Sequence, residues 1–355
     1  MKKVLVIITT SLVSYGGLAT VALNYYRNID GKSIHMDFAS TNDLQNDLQQ
    51  EFDAKDSHYY KLPQRKKIIS YISELRRISK NYDCVHIHAN SATASLELFA
   101  AKKVEKKIVH IHNTTCTHKI LHSIFLPYLK KNMTDAVACS KAAGDWIFGE
   151  NSFTVLNNAI DLKKYNYSEE DRTSIREQLK LYDKPVIGNV GKLVEQKNHS
   201  FALDVFSKVL LEIPDAKLVL VGGGYLQEGL EEKAKNLGIE KNVIFCGMVD
   251  NAKEYYSAFD CILFPSLWEG LPLSLIEAQA SGLTCVASDT ITPEVNMGGV
   301  VQLSLTECTN RWVECIRSSL NSNRRNCLTK YRENIKRRGF DIKNSARILE
   351  KIYLE

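Results

Sequence analysis

Residues 264–289 read FPSLWEGLPLSLIEAQASGLTCVASD. Strand, loop and helix meet within this stretch. CILFPS (261–266) is a short apolar run closed by Pro and Ser, the mark of a buried strand. Trp268-Glu269-Gly270 follows as a loop, Pro272 suits the first helical position, and LSLIEAQA continues as helix. At the helix start, the amides of Leu273 and Ser274 lack intrahelical acceptors and favour an anion beyond the strand end. Glu277 lies about one turn, or ~6 Å, past Leu273 on the same side. Glu269 sits in the loop, on the other side of that anion. Two carboxylates flanking a phosphate cradle suit a sugar–diphosphate–ribose ligand. The plain alternative makes Glu277 a surface residue and Glu269 a favourable charge at a helix start. Spacing does not choose between them.

Around this stretch, short apolar runs alternate with helical patterns through all 355 residues. VLVII (4–8), CVHIH (84–88), KIVHIH (107–112), DAVACS (135–140) and FTVLNN (153–158) read as strands of a first half. VIGNVG (186–191), KLVLVG (217–222), NVIFCG (242–247), CILFPS and TCVAS (284–288) read as strands of a second. Helices are expected over 18–28, 199–212 and 227–237. Buried strands between helices imply parallel sheets covered on both faces. The expected fold is therefore α/β, with two Rossmann-like, doubly wound domains facing across a cleft. The polar run 160–184 reads as connector and surface helix, which puts the domains at 1–165 and 166–342.

Composition bounds the partners. Apolar residues make up 44% and charged residues 25%, values of an ordinary globular protein. A net charge of +5 calls for no nucleic acid, but permits anionic ligands or an anionic membrane face. The nine cysteines form no Cys-x-x-Cys pair and read as free thiols in a reducing compartment. MKKVLVIITTS reads as a first strand, since its apolar run is too short for a signal peptide. No run reaches the ~18 apolar residues of a spanning helix. The basic residues Arg324, Arg325, Lys330, Arg332, Lys336, Arg337 and Arg338 read as a solvated helix face, with phosphate or membrane contact as the sharper alternative.

Four further constellations carry chemistry. GNVGKLVEQKN (188–198) places Lys192 and Lys197 after a strand, where ammonium groups neutralise a diphosphate leaving group; two solvated lysines are the alternative. His86-x-His88 and His110-x-His112 each share one strand face. Metal ligation is one reading of them, but no partner carboxylates accompany the pairs. Donation from a strand end to a sugar or phosphate suits His112 better. Gly16-Gly17 follows the first strand and permits close approach of a ligand to backbone. VGGGYLQEG (221–229) has Gly222 and Gly224 but Gln227 at the third fingerprint position, so it reads as a strand-to-helix turn and disfavours a dehydrogenase. No Asp-x-Asp occurs to hold a metal at a diphosphate.

Taken together, FPS…EGLPLSLIEAQASG resembles the Glu-x7-Glu signature of glycosyltransferase family 4, of the GT-B fold. Gly16-Gly17, IHNT (111–114), ACSKAAGDWIFG (138–149), VLNNAID (155–161), GK-x4-K (191–197) and LVGGG (220–224) follow the order of that family and cover most of the chain. GGLATVALNYYRNID and EAQASGLTCVASDTIT are most similar to bacterial capsule and exopolysaccharide enzymes.

The resemblance implies a metal-independent, retaining transfer of a hexose or N-acetylhexosamine from a nucleotide sugar, UDP-linked by family tendency. The acceptor it implies is a saccharide or polyprenyl-diphosphate-linked saccharide. Glu269 would hold donor-sugar hydroxyls and Glu277 the ribose. Lys192 and Lys197 would bind the diphosphate, with the amides of Leu273 and Ser274, and Gly270 would be a further donor-binding residue. His112 would lie beside the transferred carbon, and Gly17 would let the N-terminal domain approach the phosphates. The catalytic set is thus His112, Lys192, Lys197 and Glu269, with no metal or other cofactor. Lys192 departs from the family's usual Arg: the charge stays, the bidentate fork is lost.

The N-terminal domain would take the acceptor, and the last helix (343–355) would pack back on it. HKILHSIFLPYLKKN (118–132) mixes apolar residues with Lys119, Lys130 and Lys131, so it reads either as a core-facing helix or as a basic amphipathic one resting on a membrane. The expected location is cytoplasmic, with peripheral contact at the inner leaflet of a bacterial plasma membrane. Two other readings stay open: a nucleotide-sugar 2-epimerase on the same fold, and a non-catalytic sugar-nucleotide-binding subunit.

Overall fold

The computed structural model describes residues 1–13, 17–249 and 251–355. Gly16 of the expected glycine pair lies outside them. The chain forms two compact units, Met1–Ala159 with Gly339–Glu355, and Ile160–Arg338.

The first unit is a seven-stranded sheet of β1 (Lys2–Ile8), β2 (Ile34–Ser40), β3 (Tyr59–Lys61), β4 (Cys84–Ala89), β5 (Lys106–Ile111), β6 (Asp135–Ala138) and β7 (Thr154–Val155). Its order is β3-β2-β1-β4-β5-β6-β7, and every pairing is parallel. Such strands are buried on both faces, and β1 shows why the sequence allows it. Val4, Val6 and Ile8 enter one core, while Leu5 and Ile7 enter the other. The helix Ile342–Leu354 closes the first core with Ile342, Ala346, Leu349 and Tyr353, an apolar stripe at helical spacing.

The second unit is a six-stranded sheet of β8 (Val186–Val190), β9 (Lys217–Val221), β10 (Val243–Gly247), β11 (Cys261–Phe264), β12 (Thr284–Ser288) and β13 (Val300–Leu303). Its order is β10-β9-β8-β11-β12-β13, again parallel throughout. In each sheet the strand order reverses once, between β1 and β4 and between β8 and β11. Crossover loops diverge at such points and leave a crevice at the strands' carboxyl ends.

Three strands, β2, β3 and β13, lie outside the sequence expectations. Pro272 stands one residue earlier than expected, at the N-cap, and the helix itself begins at Leu273. The solvated reading of the basic tail needs correction at two positions. Arg324 donates to the carbonyls of Ser281, Ser257, Phe259 and Tyr256. Arg332 donates to Asn166 and to the carbonyls of Ala280 and Leu162. Both guanidinium groups clamp carbonyls at helix ends and in the adjoining loops, and Arg324 shares those of Ser257 and Phe259 with Arg172. Arg325 and Lys336–Arg338 do remain exposed.

Candidate active site

In the second unit, β8 and β11 end side by side, and each hands over to a loop and then a helix. After β8 come Gly191 and Lys192, a short turn at Glu195–Lys197, and the helix His199–Glu212. Asn198, between turn and helix, takes the left-handed conformation (φ 52°), which Asn tolerates better than most residues. After β11 come Ser266 to Leu271 and the helix Leu273–Ala280. The two loops are joined directly. Leu267 N–H donates to Gln196 O at 2.8 Å, and the Gln196 amide donates to Trp268 O at 2.9 Å.

That junction brings Lys197 onto Glu269, Nζ to Oε1 at 2.5 Å. The side chains are 16% and 11% exposed, so the pair is largely shielded from solvent. Lys197 Nζ also stands 4.6 Å from the centre of the Phe264 ring, a cation–π contact from the last residue of β11. The reading of Glu269 as a simple helix-start charge is thereby replaced: its partner is a lysine six residues past Gly191. Lys192 is exposed and makes no ion pair among the described residues.

The glycine-rich turn after β9 has a packing role. Gly222 (φ 132°) bridges to Gly247, and a Cβ there would stand 2.1 Å from Gly191 O. A Cβ on Gly224 would stand 2.2 Å from Leu193 O. Leu193 N–H donates to Gly223 O at 3.1 Å. The glycines therefore let one turn support, at backbone distance, the loop that carries Lys192.

Glu277 is not a free surface carboxylate. The Tyr256 hydroxyl donates to its Oε2 at 2.9 Å, and Tyr165 is a second hydrogen-bonding neighbour. Burial pushes the Glu277 carboxyl up, and the two tyrosines and Lys164 oppose that shift. Tyr256 and Tyr165 carried no motif signal; the helix face of Glu277, one turn past the N-cap, was the only cue. A larger cavity of about 650 Å³ in this unit includes Arg172, Arg176 and Asp260. It opens at the opposite end of the sheet, where Asp260 already pairs with both arginines at 2.7 Å.

In the first unit, a cavity of about 520 Å³ lies at the carboxyl ends of the strands. Thr10 and Ser11 follow β1, Gly17 opens the helix Gly17–Asn28, and Asn90, His112, Asn113 and Asn158 follow β4, β5 and β7. A Cβ on Gly17 would meet nothing within 4 Å, so its surroundings are open. None of the nine lining residues carries a formal charge at neutral pH, because burial pushes the His112 ring down to about 4.

Behind His112 stand His86, His88 and His110, all buried on one face of β4 and β5. His88 and His110 are register partners. His86 Nδ1 shares a 2.6 Å hydrogen bond with the Tyr353 hydroxyl, and His88 Nδ1 shares one of 2.9 Å with His112 Nε2. Burial pushes every ring toward the neutral form, His86 to about 3. His86, His88 and His110 could each bring one nitrogen within 4.8 Å of the others. Their planes lie within 37° of parallel, with His86 and His110 at 0°. Lone pairs lie in the ring plane, so near-parallel rings aim them side by side rather than at one ion. Two hydrogen bonds tie this histidine ladder to its surroundings, His86–Tyr353 and His88–His112, while His86 Nε2 and both His110 nitrogens are buried without a partner.

Comparison with known proteins agrees with this architecture. Residues 171–339 match the family model described as Glycosyl transferases group 1. The chain is 30% identical over 322 residues to a Bacillus subtilis (strain 168) protein named "Putative glycosyltransferase EpsF", covering 85% of this chain and 84% of that one. It is 30% identical over 142 residues to the UDP-Gal:alpha-D-GlcNAc-diphosphoundecaprenol alpha-1,3-galactosyltransferase of Escherichia coli, covering 38% of this chain and 36% of that one. The crystal structure of Anabaena HepE in complex with UDP superposes with a TM-score of 0.78 at 16% identity, covering 100% of both chains. With two parallel Rossmann-like sheets of the GT-B fold and a relative matched over most of its length, the chain belongs to the group 1 glycosyltransferases, the family its Glu-x7-Glu stretch resembles.

Proposed function

We propose that the chain is a retaining glycosyltransferase that moves a hexose or N-acetylhexosamine from a UDP-sugar to a saccharide or polyprenyl-diphosphate-linked acceptor, in exopolysaccharide or capsule synthesis. The observation that carries this reading is the joined pair of loops at β8 and β11. They gather Lys197, Glu269, Lys192 and the start of the helix Leu273–Ala280 at one strand end, with Glu277 one turn further on.

In this reading the diphosphate lies on the amides of Leu273 and Ser274 and on Lys192 and Lys197. Glu277, held by Tyr256, takes the ribose hydroxyls. Glu269 takes hydroxyls of the donor sugar, with Gly270 beside it. The bond from the anomeric carbon to the phosphate oxygen breaks, and the charge left on the diphosphate is stabilised by ammonium groups and helix amides. That stabilisation needs no metal at the diphosphate. The acceptor oxygen bonds to the anomeric carbon on the face the diphosphate leaves, and the departing phosphate oxygen takes its proton. The acceptor enters the first unit beside Gly17 and His112. Amides and hydroxyls line that cavity, which suits sugar hydroxyls better than an ionic group.

Support for the UDP and lipid-linked parts comes from relatives: the Escherichia coli galactosyltransferase is named for both, and HepE was solved with UDP. Peripheral membrane contact is part of the proposal. In the helix Lys119–Asn132, Ile120, Leu121 and Ile124 are 78%, 45% and 64% exposed beside Lys119. Among the described residues no helix is long and apolar enough to cross a membrane.

A donor screen tests the function. UDP-glucose, UDP-galactose, UDP-N-acetylglucosamine and GDP-mannose are offered with and without a lipid-linked acceptor, and nucleotide release and product are measured. Acceptor-dependent release from a UDP-sugar is the expected result. Conversion of UDP-N-acetylglucosamine alone to its 2-epimer would replace transfer with epimerisation.

A further inference from the structure

We propose that Phe264 is a positioning residue for Lys197: the face of its ring holds the ammonium group beside Glu269 and leaves N–H donors for the diphosphate of the donor. The diphosphate rests on the transferase reading above; the ring contact does not.

A lysine on its own places charge poorly. Its ammonium is a point charge on a flexible four-carbon stem, with three donors and no rigid fork to aim them. Three contacts remove that freedom here. The stem lies along Gly191, where a Cβ would stand 3.2 Å from Lys197 Cε, 3.5 Å from Cδ and 3.7 Å from Cγ. Glu269 Oε1 accepts one N–H at 2.5 Å. The centre of the Phe264 ring stands 4.6 Å from Nζ. Nζ makes no second hydrogen bond among the described residues, so two of its three N–H donors have no protein acceptor.

The kind of contact matters as much as its distance. A ring attracts a cation through its negative face, and does so most strongly where water is scarce. Lys197 and Glu269 keep only 16% and 11% of their side-chain surface, so water is scarce at this pair. A second carboxylate in place of the ring would hold the ammonium as firmly, but its charge would repel a diphosphate. The ring holds the cation and stays neutral. Glu269 meanwhile spends Oε1 on Lys197 and keeps Oε2 for a sugar hydroxyl, so donor binding need not break the pair.

Phe264 is also a firm support. It is the last residue of β11, in register with Ala287 of β12, and is 1% exposed. Its core includes Leu275 and Ala278, from the helix Leu273–Ala280. One packed body therefore carries both the ring behind Lys197 and the helix start whose amides would meet the same diphosphate. Neither Lys197 nor the helix has to be ordered when the donor arrives, which is where such preorganisation helps turnover.

Two measurements test this. In the first, proton–carbon NMR of the full chain labelled at lysine reads the Lys197 ε-methylene signal, assigned as the one missing in Lys197→Arg. A ring-current displacement is expected, and Phe264→Leu should abolish it. A signal at the position of solvated lysines in the wild type, or one unmoved in Phe264→Leu, would overturn the proposal. In the second, Phe264 is replaced by phenylalanines carrying one, two and three ring fluorines, which keep the ring's shape while draining its negative face. Donor kcat/KM is expected to fall stepwise, by about tenfold across the series, and to stay flat when the series is repeated in Lys197→Ala. A flat series beside native Lys197, or an equal fall in both backgrounds, would reduce Phe264 to a packing residue. Should the wild type turn over no donor, the transferase reading falls, and the ring contact is decided by the first measurement alone.

Discussion

Mild acid should unfold the first unit well before the second, and the histidine ladder sets the size of the effect. His86, His88 and His110 are buried, His112 is half-buried at the cavity, and all four rings are held neutral, His86 with its affinity for a proton pushed down to about 3 and His112 to about 4. In the unfolded chain each titrates near ~6.5. Their depressed values contribute stability that is fully present above ~6.5 and is lost as pH falls toward the folded values, because the unfolded chain takes up protons that the folded one refuses. At pH 5.5 each ring costs about 1.4 kcal/mol, and four together about 5–6 kcal/mol, comparable to the whole stability of a marginal domain. The second unit has one such residue, His199, pushed to about 4 by burial. Urea unfolding at pH 7.5, 6.5 and 5.5, followed by circular dichroism and amide exchange, measures the loss and assigns it to β4 and β5. His110 is the most informative substitution, since both its ring nitrogens are buried without a partner. Whatever His110→Leu does at pH 7.5, it should be about 1.4 kcal/mol more favourable relative to wild type at pH 5.5. Parallel pH profiles for variant and wild type, or equal acid sensitivity of the two units, would refute the argument.

Lys197→Ala should lower kcat by about 10²–10³-fold, the usual cost of one group that meets charge developing in a transition state, and near-normal turnover would remove Lys197 from the site. Gly224→Ala drives a Cβ toward Leu193 O, which would stand 2.2 Å away, and backbone must shift. A loss of about 1–3 kcal/mol in stability and a raised donor KM are expected, read by denaturant titration and steady-state kinetics. Gly229→Ala, inside the helix Gln227–Asn236 with open space around it, is the control and should be neutral or mildly stabilising.

The strands were legible where both faces of the sheet demand apolar residues. VLVII, KLVLVG and TCVAS announce themselves because parallel strands have no solvent side. β3 escaped because it is three residues at a sheet edge, half-exposed and tyrosine-rich. β2 escaped because IHMDFAS carries His35 and Asp37, which satisfy each other at 3.0 Å. At the site, sequence order gave Glu269, Glu277 and Lys197 as residues to watch. It could not show that Lys197 and Glu269 pair with each other, since that contact depends on two loops joined through Gln196 and Leu267. Tyr256 and Tyr165 were invisible for the same reason. Arg324 and Arg332 look like surface charges by composition; what internalises them is the supply of carbonyls, most of them at helix C-termini, which no local pattern reveals.

The location of the nucleotide is the decisive point, and a crystal structure of the chain soaked with UDP, and separately with GDP, reads it directly. The ribose is predicted on Glu277, with the diphosphate on the amides of Leu273 and Ser274 and within reach of Lys192 and Lys197. A nucleotide bound elsewhere on the chain, with Glu277 still closed on Tyr256, would contradict the proposed site.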